Sequence, residues 1–336
     1  MGPLAGRYRL EHLIGEGSFA SVHAAWDLQA ERRVAIKVLK DTTRQRPRMI
    51  ERFRREGRTL ADLAHPHLVQ VLDVGCEQGR DYLVLSFVDG ESLGERLEGR
   101  RPMSQDQVVE LGLQLLAGLA AAHAEGIVHR DVKPPNVLLS GDQAVLGDFG
   151  IAAPMAGDGS GRITRTGATL GTFGYMAPEQ LVDAKNVGVQ ADLYGLGATL
   201  YHACSGYAPA NLHAAALDSP RWRRVPPELV PVLSRAVRLD PAERWADAGA
   251  MGRALLSCRG RPELPAALDP TRWPAPHADL TLEAAPACVP FEPPSGPNRD
   301  TLWDLPTNHE EQPVERRRWP WLAAGVALVM AGLWWW

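Results

Sequence analysis

Three side chains of complementary chemistry lie close together in the segment His129–Asn136, which reads His-Arg-Asp-Val-Lys-Pro-Pro-Asn. Its two adjacent prolines break helices, so an irregular loop is predicted here. The carboxylate of Asp131 could orient a hydroxyl group and accept its proton, and Lys133 could neutralise charge that develops on a phosphate. The amide of Asn136 could supply an oxygen to a divalent cation. These three roles together predict phosphoryl transfer from a nucleotide.

The spacing of this loop resembles the H-R-D-x-x-x-x-N catalytic loop of protein kinases. Two further motifs support the resemblance: Asp148-Phe149-Gly150, which follows a predicted hairpin, and Ala177-Pro178-Glu179, which resembles the A-P-E motif. Protein kinases use the latter segment to bind a substrate peptide, whereas small-molecule kinases of related fold generally lack it. On these motifs, residues 8–258 resemble a bacterial eukaryotic-type (Hanks-type) serine/threonine protein kinase.

The resemblance implies a role for each polar group of the loop. Asp131 is expected to act as base and orienter of a Ser/Thr hydroxyl of a protein substrate, and Lys133 and Lys37 to stabilise phosphate charge. Asn136 and Asp148 are expected to hold Mg²⁺ (or Mn²⁺) that bridges the phosphates of ATP, because both offer hard oxygen ligands.

A glycine-containing turn joins the first two predicted strands, Tyr8–Ile14 and a strand that ends at Trp26. A strand follows the turn, and not the helix that a dinucleotide-binding turn requires. Its glycines let the backbone lie close to phosphates. Ala20 stands where the kinase pattern has a third glycine, which is a departure. The residues expected to contact the nucleotide are Ile14, Gly15, Glu16, Gly17, Ser18, Val22, Ala35, Lys37 and, through backbone groups at a hinge between two lobes, Ser86 and Val88.

Lys37 lies alone in the otherwise apolar stretch Val34–Leu39 and is expected to reach the nucleotide phosphates, as in the kinase V-A-I-K motif. Such a lysine needs an anionic partner to hold it. The helix predicted from Arg48 to about Ala64 places Glu56 on its apolar face, where an unpaired carboxylate is costly. We therefore expect Lys37 to pair with Glu56, with Glu51 as the alternative partner.

The predicted fold is α+β and bilobal. The small lobe (residues 8–88) is expected to be a five-stranded antiparallel sheet with one helix, and the large lobe (89–258) to be mainly helical. A capping-box pattern, Ser104 to Gln107, opens a long apolar scaffold helix there. By the resemblance, Asp192 would anchor the catalytic loop, and Glu179 would pair with Arg244.

The segment Gly157–Gly171 is rich in Gly, Ser, Thr and Arg and contains little to bury. Its threonines resemble the autophosphorylation sites of bacterial kinases, and a phosphate there could pair with Arg130 and order the segment. The candidate phosphorylation sites are Thr164, Thr166 and Thr169. Threonines further along, for example Thr271, could be read in phosphorylated form by phosphothreonine-binding modules.

The composition shifts after about Cys258. A Pro-rich linker is predicted over residues 259–318, flexible and without regular structure, and a transmembrane helix over 319–336. Three arginines precede the apolar run, which places its N-terminal side in the cytoplasm. Its roughly 24–27 Å is marginal against a hydrocarbon core of about 30 Å. A single-pass protein of the cytoplasmic membrane with a cytoplasmic kinase domain is therefore expected; an apolar tail folded onto the kinase is the alternative.

Composition narrows the remaining choices. A net charge of −4 gives no electrostatic reason to expect nucleic acid as a partner, and four scattered cysteines indicate neither a zinc site nor a disulfide framework. Two rival functions stay open. One is a pseudokinase scaffold that binds nucleotide or partners without phosphotransfer, and the other is a small-molecule phosphotransferase.

Overall fold

The computed structural model describes residues 3–17, 19–41, 47–99, 101–149, 172–182, 187–259 and 268–273. Within this part the chain forms a lobe built on an antiparallel sheet and a mainly helical lobe. Several predictions lie outside the described residues: the nucleotide contact of Ser18, the phosphorylation of Thr164, Thr166 and Thr169, most of the linker, and the membrane helix over 319–336.

The small lobe is a five-stranded antiparallel sheet with one helix, as predicted. Along the sheet the strands are ordered β1-β2-β3-β5-β4, and their bounds are β1 Tyr8–Glu16, β2 Ala20–Asp27, β3 Arg32–Leu39, β4 Val71–Glu77 and β5 Arg80–Ser86. Helix α1, Pro47–Ala61, ends a turn earlier than predicted and packs on β4 and β5. The approach is close at Gly57, where an added Cβ would lie 2.5 Å from the side chain of Leu83.

The large lobe consists of helices and one small sheet, β6-β7-β8. Its elements are β6 Glu91–Ser92, α2 Leu93–Glu98, α3 Gln105–Ala124, β7 Val137–Ser140, β8 Gln143–Leu146, α4 Pro178–Val182, α5 Val189–Ser205, α6 Val230–Ala236 and α7 Ala248–Leu256. Short 3₁₀ helices connect them. Two of these, Leu212–Ala214 and Pro220–Arg224, lie between α5 and α6.

Helix α3 is the scaffold of the large lobe. The predicted capping box is confirmed: Ser104 accepts a hydrogen bond from the backbone N–H of Gln107, whose side chain accepts one from the N–H of Ser104. Among the described residues, α3 is the one helix with the length and apolarity of a membrane span. Most of its apolar window (78%) is buried inside the protein, as in the core helix of a folded domain.

The folded domain extends beyond the predicted limits of 8 and 258 at both ends. Before β1, Leu4 is fully buried, and Arg7 forms a bidentate ion pair with Asp27 at 2.7 and 2.8 Å. After α7, the short segment Leu268–Trp273 lies within the predicted flexible linker but packs on α7, where an added Cβ at Gly252 would come within 2.6 Å of the Trp273 ring. This part of the predicted linker therefore packs on the large lobe, a contact that its composition does not indicate.

Candidate active site

The backbone of the catalytic loop is held by a carboxylate buried in the large lobe. Asp192, at the start of α5, accepts hydrogen bonds from the N–H of His129 at 2.8 Å and from the N–H of Arg130 at 2.7 Å. His123 of α3 lies 2.9 Å from the same carboxylate. Burial raises the pKa of Asp192, but the hydrogen bond and charge of His123 and the bonds from the loop outweigh it, so the net pKa is lowered. The predicted anchoring role of Asp192 is confirmed.

Arg130 and Asp148 both adopt left-handed backbone conformations, with φ of +67° and +55°. For residues with a side chain this conformation costs roughly 1–2 kcal/mol each, so surrounding contacts must hold it. Around Arg130 the bonds from Asp192 do so. Lys37 bonds to the side chain of Asp148, and the next residue, Phe149, packs against the ring of His129. Such strain is typical of residues that a site holds in place for chemistry.

His129 connects the catalytic loop to the Asp-Phe-Gly segment. Its ring is fully buried, with Nε2 2.9 Å from the carbonyl of Gly147, and it lies 4.5 Å from the ring of Phe149. Burial lowers the pKa of His129, which favours the neutral ring. Nδ1 then accepts the N–H of Asp131 at 3.2 Å. The two motifs that are distant in sequence thus share one buried ring.

The three chemistry-bearing residues of the loop lie in direct contact, as predicted. Lys133 Nζ lies 2.8 Å from Asp131 Oδ2, and Asn136 Nδ2 donates to the same oxygen at 3.0 Å and to the Asp131 carbonyl at 2.7 Å. The Asp131 side chain keeps about a third of its surface exposed (35%), so a substrate hydroxyl can reach it. A carboxylate that is accessible and flanked by an ammonium group can orient a hydroxyl and accept its proton.

Lys37 reaches the site from β3. It is buried along its stem, and its Nζ donates to Asp148 Oδ1 at 2.8 Å. Burial alone would raise the pKa of Asp148. The charge and hydrogen bond of Lys37, together with the charges of His129 and Lys133, outweigh burial, so the net pKa lies below its ordinary value. Asp148 is therefore ionised and close to both lysines, which brings all the predicted charged groups of the site except Glu56 into one cleft.

The predicted pairing of Lys37 with Glu56 is wrong for this structure. Glu56 instead accepts a hydrogen bond from Arg52, one helical turn earlier on α1, at 2.7 Å. The alternative partner Glu51 is exposed on the outer face of the helix. An arginine one turn away satisfies the carboxylate locally. In addition, an ion pair between Arg54 and buried Asp81 of β5 fixes the helix against the sheet.

The positive charges around Glu56 nevertheless do not fully offset the cost of burying its carboxylate. Burial raises its pKa, and although Arg52, Arg130 and Arg55 each lower it, the net pKa is raised. Arg130 belongs to the same group of charges: burial lowers the pKa of Arg130, and so does the charge of Arg52. Its Nε is buried without a hydrogen-bond partner among the described residues. Arg52, Arg130 and Glu56 thus form a compact cluster, called the arginine cluster below.

The predicted nucleotide-contacting residues of the small lobe lie on neighbouring strands of the five-stranded sheet. Gly15 pairs with Val22 across β1 and β2, and Val22 pairs with Lys37 across β2 and β3, so the three lie in one row. The turn between them is closed by a 2.9 Å hydrogen bond from the N–H of Gly17 to the carbonyl of Ala20. The neighbouring members of the set are Ile14 and Glu16 at the end of β1 and Ala35 on β3.

At the predicted hinge, Ser86 ends β5 and Val88 follows it. The N–H of Ser86 donates to the carbonyl of Gln70 at 2.9 Å, and its hydroxyl accepts the N–H of Gln70 at 3.0 Å. The N–H of Ser86 is therefore already used. If Ser86 bonds to an adenine ring as predicted, its carbonyl oxygen is the backbone group that would do so.

Helix α4, which follows the 3₁₀ helix Thr172–Tyr175, is fixed by the predicted ion pair. Arg244 has no exposed side-chain surface and donates two hydrogen bonds to the carboxylate of Glu179, both at 2.7 Å. It also donates to three backbone carbonyls, those of Gln190, Arg238 and Leu239. The segment that resembles A-P-E is thus tied to the core of the large lobe.

The donor set suits Mg²⁺. The amide nitrogen of Asn136 is used by Asp131, so its amide oxygen is the atom that can serve a cation, and Asp148 adds an ionised carboxylate. Among the described residues no group of three or more His, Cys, Asp or Glu side chains could hold a metal ion alone. Mg²⁺ typically binds through one or two carboxylates together with substrate phosphates, so one carboxylate and one amide oxygen fit it.

Sequence reasoning missed two residues of this site. Arg52 carries no motif, and its importance appears only when α1 is placed against the catalytic loop. Gln180, immediately after the A-P-E segment, bonds to the carbonyl of Arg130 at 2.8 Å. A glutamine at a helix start is an ordinary helix former, so its type and position gave no indication of this contact.

Comparison with known proteins agrees with this geometry. The family model described as "protein kinase domain" matches residues 8–254. Serine/threonine-protein kinase PknL of Mycobacterium tuberculosis is 37% identical over 265 residues, which cover 75% of this chain and 65% of PknL. Serine/threonine-protein kinase PknA of the same organism is 38% identical over 292 residues, covering 82% of this chain and 67% of PknA. The matched part of the chain therefore spans about two thirds of the length of PknA and slightly less than two thirds of the length of PknL.

Solved structures show the same architecture. The crystal structure of the Mycobacterium tuberculosis PknI kinase domain matches with a TM-score of 0.61 at 28% sequence identity. The match covers 75% of this chain and 95% of that one.

Proposed function

Because this chain belongs to the protein kinase family, we propose that it is a serine/threonine protein kinase that transfers the γ-phosphoryl group of ATP to Ser/Thr hydroxyls of proteins. The observation that carries the proposal is the contact between Asp131, Lys133 and Asn136, with Lys37 and Asp148 paired in the same cleft. These groups supply a base, phosphate-neutralising charge and cation ligands within reach of one another, which is what phosphoryl transfer needs.

In this mechanism each residue has a distinct task. Asp131 orients the substrate hydroxyl and accepts its proton, while Lys133, bonded to the same carboxylate, neutralises charge on the transferred group. Lys37 stabilises the phosphates. Asn136 and Asp148 would hold Mg²⁺, which when bound offsets the negative charge of the phosphates. The adenine would lie between the row formed by Gly15 and Val22 and the hinge at Ser86 and Val88.

We also propose that phosphorylation of Thr164, Thr166 or Thr169 regulates the enzyme through the arginine cluster. Arg130 has a buried Nε without a partner among the described residues, and Arg52 lies beside it. A phosphate would bind both arginines more strongly than one carboxylate does, because it carries nearly two charges and several acceptor oxygens. Glu56 would then be released from Arg52 to pair with Lys37. Phosphorylated threonines of the tail, for example Thr271, would be bound by phosphothreonine-binding modules.

The apolar run over residues 319–336, with three arginines before it, supports a second proposal about location. We propose that it is a single membrane-spanning helix that attaches the chain to the cytoplasmic membrane, with the kinase domain in the cytoplasm. Membrane fractionation of the full chain and of a version that ends at Arg318 tests this. The full chain should sediment with membranes after an alkaline wash, and the shortened chain should not. Equal recovery of both in the soluble fraction would exclude the proposal.

A nucleotide-binding scaffold without phosphotransfer is the second candidate, favoured by one observation: Glu56 bonds to Arg52 and not to Lys37. The deciding experiment incubates the purified full chain with labelled ATP, Mg²⁺ and a generic basic protein. The native chain should label itself and the basic protein, and Asp131→Asn should lower the rate by about 10²- to 10⁴-fold. Asp142→Asn, in the exposed turn between β7 and β8, is the matched control and should keep full activity.

Mass spectrometry of the native chain and of Asp131→Asn, each expressed in the same host, completes the test. Phosphate on Thr164, Thr166 or Thr169 should appear in the native chain and be absent from Asp131→Asn. Equal phosphorylation of both would show that another kinase modifies the segment, and an unlabelled basic protein would support the scaffold.

A further inference from the structure

The side chain of Gln180 connects the catalytic loop to the segment that resembles A-P-E, which is predicted to bind a substrate peptide. Its Nε2 donates to the carbonyl of Arg130 at 2.8 Å, and its Oε1 accepts the backbone N–H of Ala177 at 2.9 Å. The orientation of the amide is unambiguous, because one partner can only accept and the other can only donate. Both ends of the carboxamide are therefore used, each on a different element.

The bond to Arg130 acts on the peptide unit that immediately precedes the proposed base. That unit, between Arg130 and Asp131, has its N–H bonded to His129 Nδ1 at 3.2 Å and its C=O bonded to Gln180. The preceding N–H, that of Arg130, is bonded to Asp192. Both His129 and Asp192 act on N–H groups of the loop, so the Gln180 bond is the one that fixes the carbonyl side of this peptide plane.

Gln180 has a fixed support from which to act. The adjacent residue, Glu179, is bound twice by buried Arg244, which holds α4 against the core. Ala177 is fully buried and lies two residues after the end of the 3₁₀ helix Thr172–Tyr175. Between these elements lies a cavity of about 10 Å³, about the space of one water molecule, lined by Arg130, Asp131, Tyr175, Met176 and Gln180. The side chain of Gln180 thus lies between the segment that is predicted to bind the substrate and the loop that carries Asp131.

We propose that Gln180 is a positioning residue for phosphoryl transfer: it sets the orientation of the peptide bond before Asp131 and couples that orientation to the substrate-binding segment. The inference rests on the proposed kinase function. The role requires a side chain that donates at one end and accepts at the other, at the length of glutamine. Loss of the bond leaves the Arg130 carbonyl free to rotate, and Asp131 turns with it.

The first test compares Gln180→Ala with a matched control. Gln190→Ala also removes a glutamine whose Nε2 donates to a backbone carbonyl, that of Ala246 at 3.1 Å, but this bond involves neither the catalytic loop nor the A-P-E segment. We expect Gln180→Ala to lower kcat about 10- to 100-fold with the KM for ATP unchanged, since small misplacement of a reacting group has effects of this size. Gln190→Ala should leave kcat within twofold of the native value.

The second test measures a pH dependence that would not be expected if Gln180 only stabilised the fold. In Gln180→Glu, the ionised carboxylate can accept from Ala177 but faces the Arg130 carbonyl with a second acceptor. The protonated carboxyl can donate to Arg130 and accept from Ala177, which restores both bonds. The ratio of variant to native kcat should therefore rise as the pH falls from 8 to 6. Arg130 and Asp131 line the same cavity, and taking the ratio removes the pH dependence that the variant and the native chain share.

Two outcomes overturn the proposal: a kcat for Gln180→Ala within twofold of the native value, or a ratio for Gln180→Glu that is independent of pH. A native chain that transfers no phosphate would instead contradict the proposed function. Amide hydrogen exchange over residues 129–132 then decides the positioning role by itself. It should be faster in Gln180→Ala than in Gln190→Ala, and equal rates would refute the inference.

Discussion

Replacing Arg52 by alanine should activate the unphosphorylated chain. In this structure Arg52 holds the carboxylate of Glu56 at 2.7 Å, while Lys37 is bonded to Asp148. Removing the guanidinium leaves Glu56 partly buried without its main partner and removes the cation that competes with Lys37 for this carboxylate. The conformation in which Lys37 pairs with Glu56 should therefore become more populated.

The size of the effect follows from the geometry of the Arg52–Glu56 pair. Exposed pairs four residues apart in a helix contribute about 0.3–0.5 kcal/mol. Here the two side chains are only 16% and 27% exposed, so screening is weaker. We take the contribution as about 0.5–1 kcal/mol, which corresponds to about a two- to fivefold shift between the two conformations.

The assay is the initial rate of phosphorylation of a basic protein in a background that carries Thr164→Ala, Thr166→Ala and Thr169→Ala. In that background Arg52→Ala should raise the rate by about two- to fivefold. Arg58→Ala, an exposed position on the same helix, is the control and should leave the rate unchanged. An unchanged or lower rate for Arg52→Ala would refute the reasoning, because the pair would then not compete with activation.

Three further predictions concern the stability of the folded domain, each measured by urea unfolding. The ion pair with Arg7 holds the pKa of Asp27 far below its usual range, so the unfolded chain binds a proton that the folded chain does not; stability from Asp27 is complete above about pH 5 and is lost progressively as the pH falls toward the lowered pKa. Asp27→Asn should cost about 1–3 kcal/mol at pH 7 and measurably less at pH 3, and an equal cost at both would contradict this origin. Arg244→Met should cost about 3–5 kcal/mol because it leaves Glu179 unpaired, whereas exposed Arg235→Met, which removes a stacking contact with Trp245, should cost under about 1 kcal/mol. A chain that ends at Arg259 should be about 2–4 kcal/mol less stable than one that ends at Pro274, since it loses the packing of Leu268–Trp273 on α7; equal stability would show that this segment contributes nothing.

Local patterns were sufficient to predict the parts of the site that are close in sequence. Asp131, Lys133 and Asn136 lie within one short loop, so their contact follows from the chain itself. The capping box at Ser104 is likewise a property of four consecutive residues. The pairing of Glu179 with Arg244 spans 65 residues, and it was predictable only through resemblance to a known family.

The partner of Glu56 could not be read from the sequence because two cations compete for it. Arg52 is one helical turn away, and Lys37 is on another element. The choice depends on the rotation and depth of α1, which Arg54, Asp81 and the close contact at Gly57 determine. These are tertiary contacts, and periodicity within the helix reports only that Glu56 and the apolar residues share a face.

The end of the domain was missed for a different reason. Proline content indicates a segment without regular structure, and Leu268–Trp273 has only one short 3₁₀ turn. Lack of regular structure does not exclude packing, however. Whether Trp273 contacts the domain depends on the space above Gly252 of α7, which no property of the segment itself specifies.

The hydrogen bond between Lys37 and Asp148 makes two binding equilibria depend on each other. When Lys37 turns toward phosphates, Asp148 loses its neighbouring cation, and a divalent ion can replace that charge. Conversely, an ion bound at Asp148 frees Lys37 for an anion. Nucleotide and metal should therefore each strengthen the binding of the other by the same factor, as thermodynamic reciprocity demands. Titration calorimetry with ATP alone, Mg²⁺ alone and both together would measure that shared factor directly.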